Sequence, residues 1–269
     1  MRALPRTLDR RVVADIDARL SSIGNDARIL LAVESGSRAW GFPSPDSDYD
    51  CRFVYVRPLA DYLRLSPPRD VIETPLDPVL DVNGWDLAKA LRLLLKGNAV
   101  VIEWLMSPIV YRGEPEFRDD MQALARQAMR RPLIARHYLH LGLRMRGERL
   151  EKTAFRLKKV FYALRPAAAL RWLALHPERV LPPMHFPTLM AECDPPPAVA
   201  AAVERLLVEK ARTREMGEGV VPAEIARFVT AQFASAQREW GDDAPPLDET
   251  ARRAADALFL KWVGAASVD

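Results

Sequence analysis

Val33-Glu34-Ser35-Gly36-Ser37-Arg38-Ala39-Trp40-Gly41-Phe42-Pro43-Ser44-Pro45-Asp46-Ser47-Asp48-Tyr49-Asp50 lies between two apolar runs, Ile29 to Val33 and Cys51 to Val56. The first run enters a Gly-Ser turn, and eleven positions after Ser37 an Asp-x-Asp opens the second. Two aspartates at i and i+2 on a strand point to the same face, so Asp48 and Asp50 would stand side by side. Carboxylates that close resist joint ionisation unless a cation lies between them. Hard oxygen donors of this kind suit Mg²⁺ or Mn²⁺, which keep waters and take further ligands from substrate phosphates. Gly36 lets the backbone approach closely, and the amides of the turn, with the Ser37 hydroxyl, are donors for phosphate oxygens. A Gly-Ser alone is usually a turn and an Asp-x-Asp alone a solvated strand edge. Their combination at this spacing, between strands, reads as a phosphate cradle beside a metal site.

Outward from this stretch, Val12, Val13, Ile16, Leu20 and Ile23 recur at three and four positions and predict an amphipathic helix before Gly24. Arg28 to Glu34 and Asp48 to Val56 read as strands, with Gly36 to Ser47 an ordered loop between them. Leu59 to Leu65 reads as a short helix, Asp70 to Thr74 and Val79 to Asn83 as strands, and Trp85 to Lys96 as a helix. Asn98 is a good N-cap for Ala99 to Met106. Helices are then expected over 114–129, 133–150, 152–176, 198–215, 222–239 and 248–262, with Pro166 kinking or splitting the third. The expectation is an α+β fold, a small mixed sheet with flanking helices in residues 1–110, followed by an all-α domain in 111–269.

Composition narrows the classes. With 269 residues, 49% of them apolar, the chain can bury a core. Its 39 basic and 36 acidic residues are too balanced for the whole surface to be a nucleic-acid footprint. Two cysteines, Cys51 and Cys193, exclude a disulfide framework or a cysteine zinc site. No stretch approaches the ~20 apolar residues that span a bilayer, and no apolar signal core follows the N-terminus. A cytoplasmic protein that does not enter a membrane is expected.

Gly36-Ser37, the spacing to Asp48-Tyr49-Asp50 and the flanking strands resemble the signature of the DNA polymerase β nucleotidyltransferase superfamily. The wider form, Gly-Ser-Arg-Ala-Trp-Gly-Phe followed by Ser-Asp-Tyr-Asp, resembles the RlaP or YcgL-like predicted nucleotidyltransferases encoded near bacterial and phage RNA ligases. The resemblance continues less sharply through Asp81 to Leu87, Pro108 to Tyr111 and Lys158 to Pro166, and covers roughly residues 1–175. It implies a polymerase β-type core in which Asp48 and Asp50 hold two divalent ions, Mg²⁺ or Mn²⁺. It implies a third carboxylate on a neighbouring strand, for which Asp81 is chosen because it lies in the apolar run Val79 to Val82. Asp86 is the alternative, although the first turn of a helix gives it dipole complementation as another task. The substrate implied is an NTP, ATP among them, with Gly36, Ser37 and Arg38 at the triphosphate. The helix carrying Lys158, Lys159 and Tyr162 would face the cleft and clamp phosphates. The acceptor implied is a hydroxyl at an RNA end; transfer to a protein or small molecule, and a non-catalytic nucleotide- or RNA-binding module, are the alternatives.

Each of these side chains has a plainer reading. Arg38 could pair with Asp46 or Asp48, Trp40 and Phe42 could wall the loop, and the lysines could be a solvated face. His137 and His140, at i and i+3 without cysteine partners, do not read as a zinc pair. The basic run Arg144, Arg146, Arg149, Lys152, Arg156 and Lys158, interrupted by Glu148 and Glu151, reads equally as a phosphate-tracking groove or a solvated helix face.

Overall fold

Strand alternation decides which face of the sheet carries chemistry. The computed structural model describes residues 1–75, 77–146, 155–213, 217–241, 246 and 248–265. It opens with α1 (Arg10–Ile23), capped by the Asp9 side chain, which accepts from the Arg11 amide at 2.8 Å. There follow β1 (Arg28–Glu34), α2 (Gly36–Ala39), β2 (Tyr49–Val56), α3 (Leu59–Tyr62), β3 (Val71–Glu73) and β4 (Leu80–Asp86). The mixed part closes with α4 (Leu87–Leu95), α5 (Ala99–Met106), β5 (Val110–Gly113) and α6 (Pro115–Ala128). The strands form one sheet in the order β3-β4-β2-β1-β5, with β2 and β4 parallel and the other pairs antiparallel.

Along β2, Tyr49, Cys51 and Phe53 are buried while Asp50 and Arg52 are half-buried; along β4, Leu80, Val82 and Gly84 alternate with Asp81, Asn83 and Trp85 in the same way. The buried apolar set joins Val13, Ile16 and Leu20 of α1 in one core. Because strand side chains alternate, Asp50, Arg52, Asp81 and Asn83 are left on the opposite face. One glycine makes that core fit: a Cβ on Gly84 would lie 2.3 Å from the Phe53 ring. Gly84→Ala is therefore expected to cost about 1–3 kcal/mol of stability by overpacking. Urea unfolding reads this directly, and an unchanged midpoint would mean that the Phe53 ring moves aside without strain.

The helical part runs α7 (Arg131–Arg146), β6 (Phe155–Arg156), a 3-10 turn Leu157–Lys159, α8 (Val160–Leu175), α9 (Phe186–Glu192), α10 (Pro197–Arg212), β7 (Glu218–Gly219), α11 (Ala223–Trp240) and α12 (Glu249–Ala265). The expected helix over 152–176 is corrected at its start. Phe155 and Leu157 are buried while Arg156 and Lys158 are exposed, a period of two that suits β6 and its antiparallel partner β7 rather than a helix. α8 continues through Pro166, the loss of a helix hydrogen bond being offset by burial on nearly every side. α9, unexpected in a proline-rich segment, carries Pro187 in its first turn and buries Phe186, Leu189 and Met190. Arg149, Lys152 and the expected helix ends in 147–154 and 214–216 lie outside the described residues. No described helix is long and apolar enough to cross a membrane.

The chain divides into two compact units. The first takes in Met1–Ala39, Asp48–Met129 and α12; the second takes in Trp40–Ser47 and α7 to α11. The boundary expected at 110/111 falls inside β5, and packing keeps α6 and α12 with the sheet. In the first unit Trp262 of α12 donates to Asp120 of α6 at 2.9 Å and sets its ring edge-on to Phe117. In the second, Phe42 is buried between Phe161 and Phe186, with ring centroids 5.0 and 5.2 Å away.

Candidate active site

β1 ends on Glu34 and the chain turns at once. The Ser35 amide donates to the Asp50 carbonyl at 2.8 Å, and Gly36–Ala39 then makes the single helical turn α2 where an ordered loop without helix was expected. Gly36 has φ +65°, a left-handed value that favours glycine. It also has no room for a side chain, since a Cβ there would lie 2.2 Å from Asp50 Oδ2. Turn and strand meet at the atom the sequence assigns to a metal.

Asp50 and Asp81 are register partners on the parallel strands β2 and β4. Arg52, two residues along β2 and on the same face, donates from Nη2 to Asp50 Oδ1 at 2.9 Å and to Asp81 Oδ2 at 2.7 Å. Its Nη1 donates to the carbonyls of Cys51 at 3.2 Å and Asp81 at 3.0 Å. Asn83 Nδ2 donates to Asp81 Oδ1 at 3.2 Å. Asp48 stands immediately before β2 and is exposed. Arg38 donates to the Asp48 carbonyl at 3.2 Å and lies over the Tyr49 ring at 3.9 Å. Asp86, the other acid considered beside Asp50, pairs instead with Tyr55. It caps α4 through the Ala88 amide at 2.8 Å and accepts from the Tyr62 hydroxyl at 2.8 Å, and burial holds its pKa above the ordinary carboxylate range.

Glu34 carries no motif signal beyond being the one acid at the end of an apolar run. It is fully buried; Oε1 accepts from the Asp50 amide at 3.0 Å and Oε2 from the Tyr111 hydroxyl. Burial raises its pKa from 4.5 to about 7; the charge of Asp50 adds to that rise, and the two hydrogen bonds and Arg38 oppose it. Between those values the folded chain holds a proton that the unfolded chain has released, so this group removes stability as pH rises from about 4.5 to about 7. The contribution is on the order of 3 kcal/mol. In chelator, Glu34→Gln is expected to flatten the fall of melting temperature across that window, because glutamine mimics the protonated acid. An unchanged slope would assign the effect to other groups.

As the side chains stand, no three His, Cys, Asp or Glu among the described residues converge to hold a metal ion. The guanidinium of Arg52 takes the position between Asp50 and Asp81. The donor set nevertheless fits a hard divalent cation in kind: carboxylates on neighbouring strands in register, a third two residues upstream, and a glycine that leaves Asp50 Oδ2 its space. Asp48, Asp50 and Asp81 would hold such an ion.

The other sequence-assigned nucleotide contacts belong to the second unit. Lys158 is exposed and Lys159 half-buried on the 3-10 turn. Tyr162 follows in the first turn of α8, exposed, its ring edge-on to Trp40 at 6.1 Å. Trp40 also stacks under the buried guanidinium of Arg165 at 4.3 Å, and Phe42 lies under the buried ammonium of Lys210 at 5.4 Å. Phe42 therefore walls the loop.

The model of the RlaP family, described as the RNA repair pathway DNA polymerase beta family, matches residues 12–261. An uncharacterized protein, YcgL, of Bacillus subtilis (strain 168) is 39% identical over 209 residues, which is 78% of this chain and 79% of that protein.

Proposed function

We propose, from the premise that this chain belongs to the RlaP family of RNA repair pathway DNA polymerase beta proteins, that it moves a nucleoside monophosphate from an NTP to a hydroxyl at an RNA end. The observation that carries the reading is the in-register pair Asp50 and Asp81, with Asp48 two residues upstream and the Gly36 backbone against Asp50. The acceptor oxygen forms a bond to the α-phosphorus, the bond from that phosphorus to the bridging oxygen breaks, and pyrophosphate leaves. Divalent cations, Mg²⁺ or Mn²⁺, when bound, neutralise the triphosphate and lower the pKa of the attacking hydroxyl.

The chain's own residues do the rest. Asp48 and Asp50 supply the anionic oxygens, and Asp81 helps draw the proton from the hydroxyl. The backbone of Gly36, the Ser37 hydroxyl and Arg38 hold the phosphates as donors. Lys158, Lys159 and the exposed ring of Tyr162 are the second unit's candidate contacts to nucleotide. The catalytic part is the sheet with its flanking helices; the helical part selects substrate.

Incubation with labelled NTPs, Mg²⁺ or Mn²⁺ and RNAs of differing ends tests this. Label is expected on RNA and lost in Asp48→Ala and Asp50→Ala. No transfer to any acceptor, or transfer that survives both changes, would sink the reading, and label on a protein band would replace RNA as the acceptor.

A further inference from the structure

We infer that Arg52 is a built-in counter-cation that competes with a divalent ion for the Asp50–Asp81 pair. The inference rests on the reading of Asp48, Asp50 and Asp81 as metal ligands.

Two carboxylates fixed in register on adjacent strands repel each other whether or not a metal is present. A cationic side chain between them offsets that repulsion. Arg52 is placed to do so by strand period alone, because two residues beyond Asp50 is the same face. A single nitrogen, Nη2, reaches both carboxylates, and Nη1 is tied to two backbone carbonyls, so the guanidinium is held by four contacts. Its side chain is 16% exposed, where water and salt screen less than at the surface.

Asp50 divides its oxygens: Oδ1 meets Arg52 and Oδ2 lies against Gly36. A cation approaching from the side of the Gly-Ser turn meets Oδ2 and leaves Arg52 in place. A cation shared through Asp50 Oδ1 and Asp81 Oδ2 competes for the two oxygens that Arg52 holds. Binding at that second position is therefore coupled negatively to the arginine, and the coupling is reciprocal.

Mn²⁺ binding to the full chain without nucleotide, followed by electron paramagnetic resonance and by calorimetry, tests this apart from activity. Arg52→Met is expected to raise Mn²⁺ affinity about tenfold or to add a second bound ion. Arg52→Lys, which keeps the charge but loses the planar reach to both carboxylates, is expected to fall between. Affinity at or below wild type in an Arg52→Met protein that melts as wild type does overturns the inference, since the guanidinium is then a fixed support. If Arg52→Met does not fold, Arg52→Lys decides by the same criterion. Asp50→Asn identifies the ion at this site by its loss. Absence of Mn²⁺ binding in every form, with nucleotide included, defeats the metal-dependent reading and the inference with it.

Discussion

Asp50→Asn is expected to lower kcat/KM for nucleotidyl transfer by at least about 10³-fold, which is about 4 kcal/mol of transition-state stabilisation. The substitution keeps size and shape, removes the charge and turns one acceptor oxygen into an NH2 donor. The backbone at this position is untouched: its amide still donates to Glu34 and its carbonyl still accepts from Ser35. Arg52 keeps its 2.7 Å contact to Asp81. Because the Asp50–Arg52 pair is partly exposed, its loss should cost about 1 kcal/mol of stability or less. A folded protein without transfer activity is thus the expected outcome, seen as a near-normal melting curve beside a blank labelling assay. Transfer within about tenfold of wild type would remove Asp50 from the reaction.

Gly36→Ala should cost about 10²-fold in kcat from a single added methyl group. Two effects coincide. Alanine at φ +65° is strained by about 1–2 kcal/mol. Its Cβ would also overlap Asp50 Oδ2, at 2.2 Å, so the carboxylate or the turn must shift. Either shift spoils the alignment of phosphate donors against the acids, and misplacement of that size is expensive in rate. The informative comparison is kcat against Mn²⁺ affinity. If Asp50 is the group that moves, both fall; if the turn moves, kcat falls while Mn²⁺ binding holds. Normal values for both would show that the turn and the strand are not fitted to each other.

The Gly-Ser turn, Asp48 and Asp50 are legible in the sequence because they lie within a short span and differ sharply from the apolar runs around them. Asp81 is legible for a related reason, as a charge inside an apolar strand whose alternation fixes its face. Arg52 and Glu34 are not, since their significance lies in cross-strand neighbours: Asp81 comes 29 residues after Arg52, and Tyr111 comes 77 after Glu34. A strand's own pattern gives its period but not its partner or register. The same limit hides β5, whose place beside β1 depends on pairing at long range. The segment 155–159 reads as helix because the long helical run after it dominates, although its own burial alternates. The destination of Trp40–Ser47 is also invisible to local pattern, because aromatic residues in a loop look alike whether they wall it or anchor it elsewhere.

That the first compact unit takes its last helix from the end of the chain bears on synthesis. While residues 1–129 leave the ribosome, Asp120 has no Trp262 to accept from, Arg28 lacks the ring it lies over, and Tyr62 lacks Phe259. Phe42 emerges well before Phe161 and Phe186, which later enclose it. Neither unit is complete until distant segments arrive, so an N-terminal fragment ending at 129 leaves apolar surface uncovered and is prone to aggregate. Completion of the first unit therefore waits for α12, which covers α6 with Trp262 and Tyr62 with Phe259.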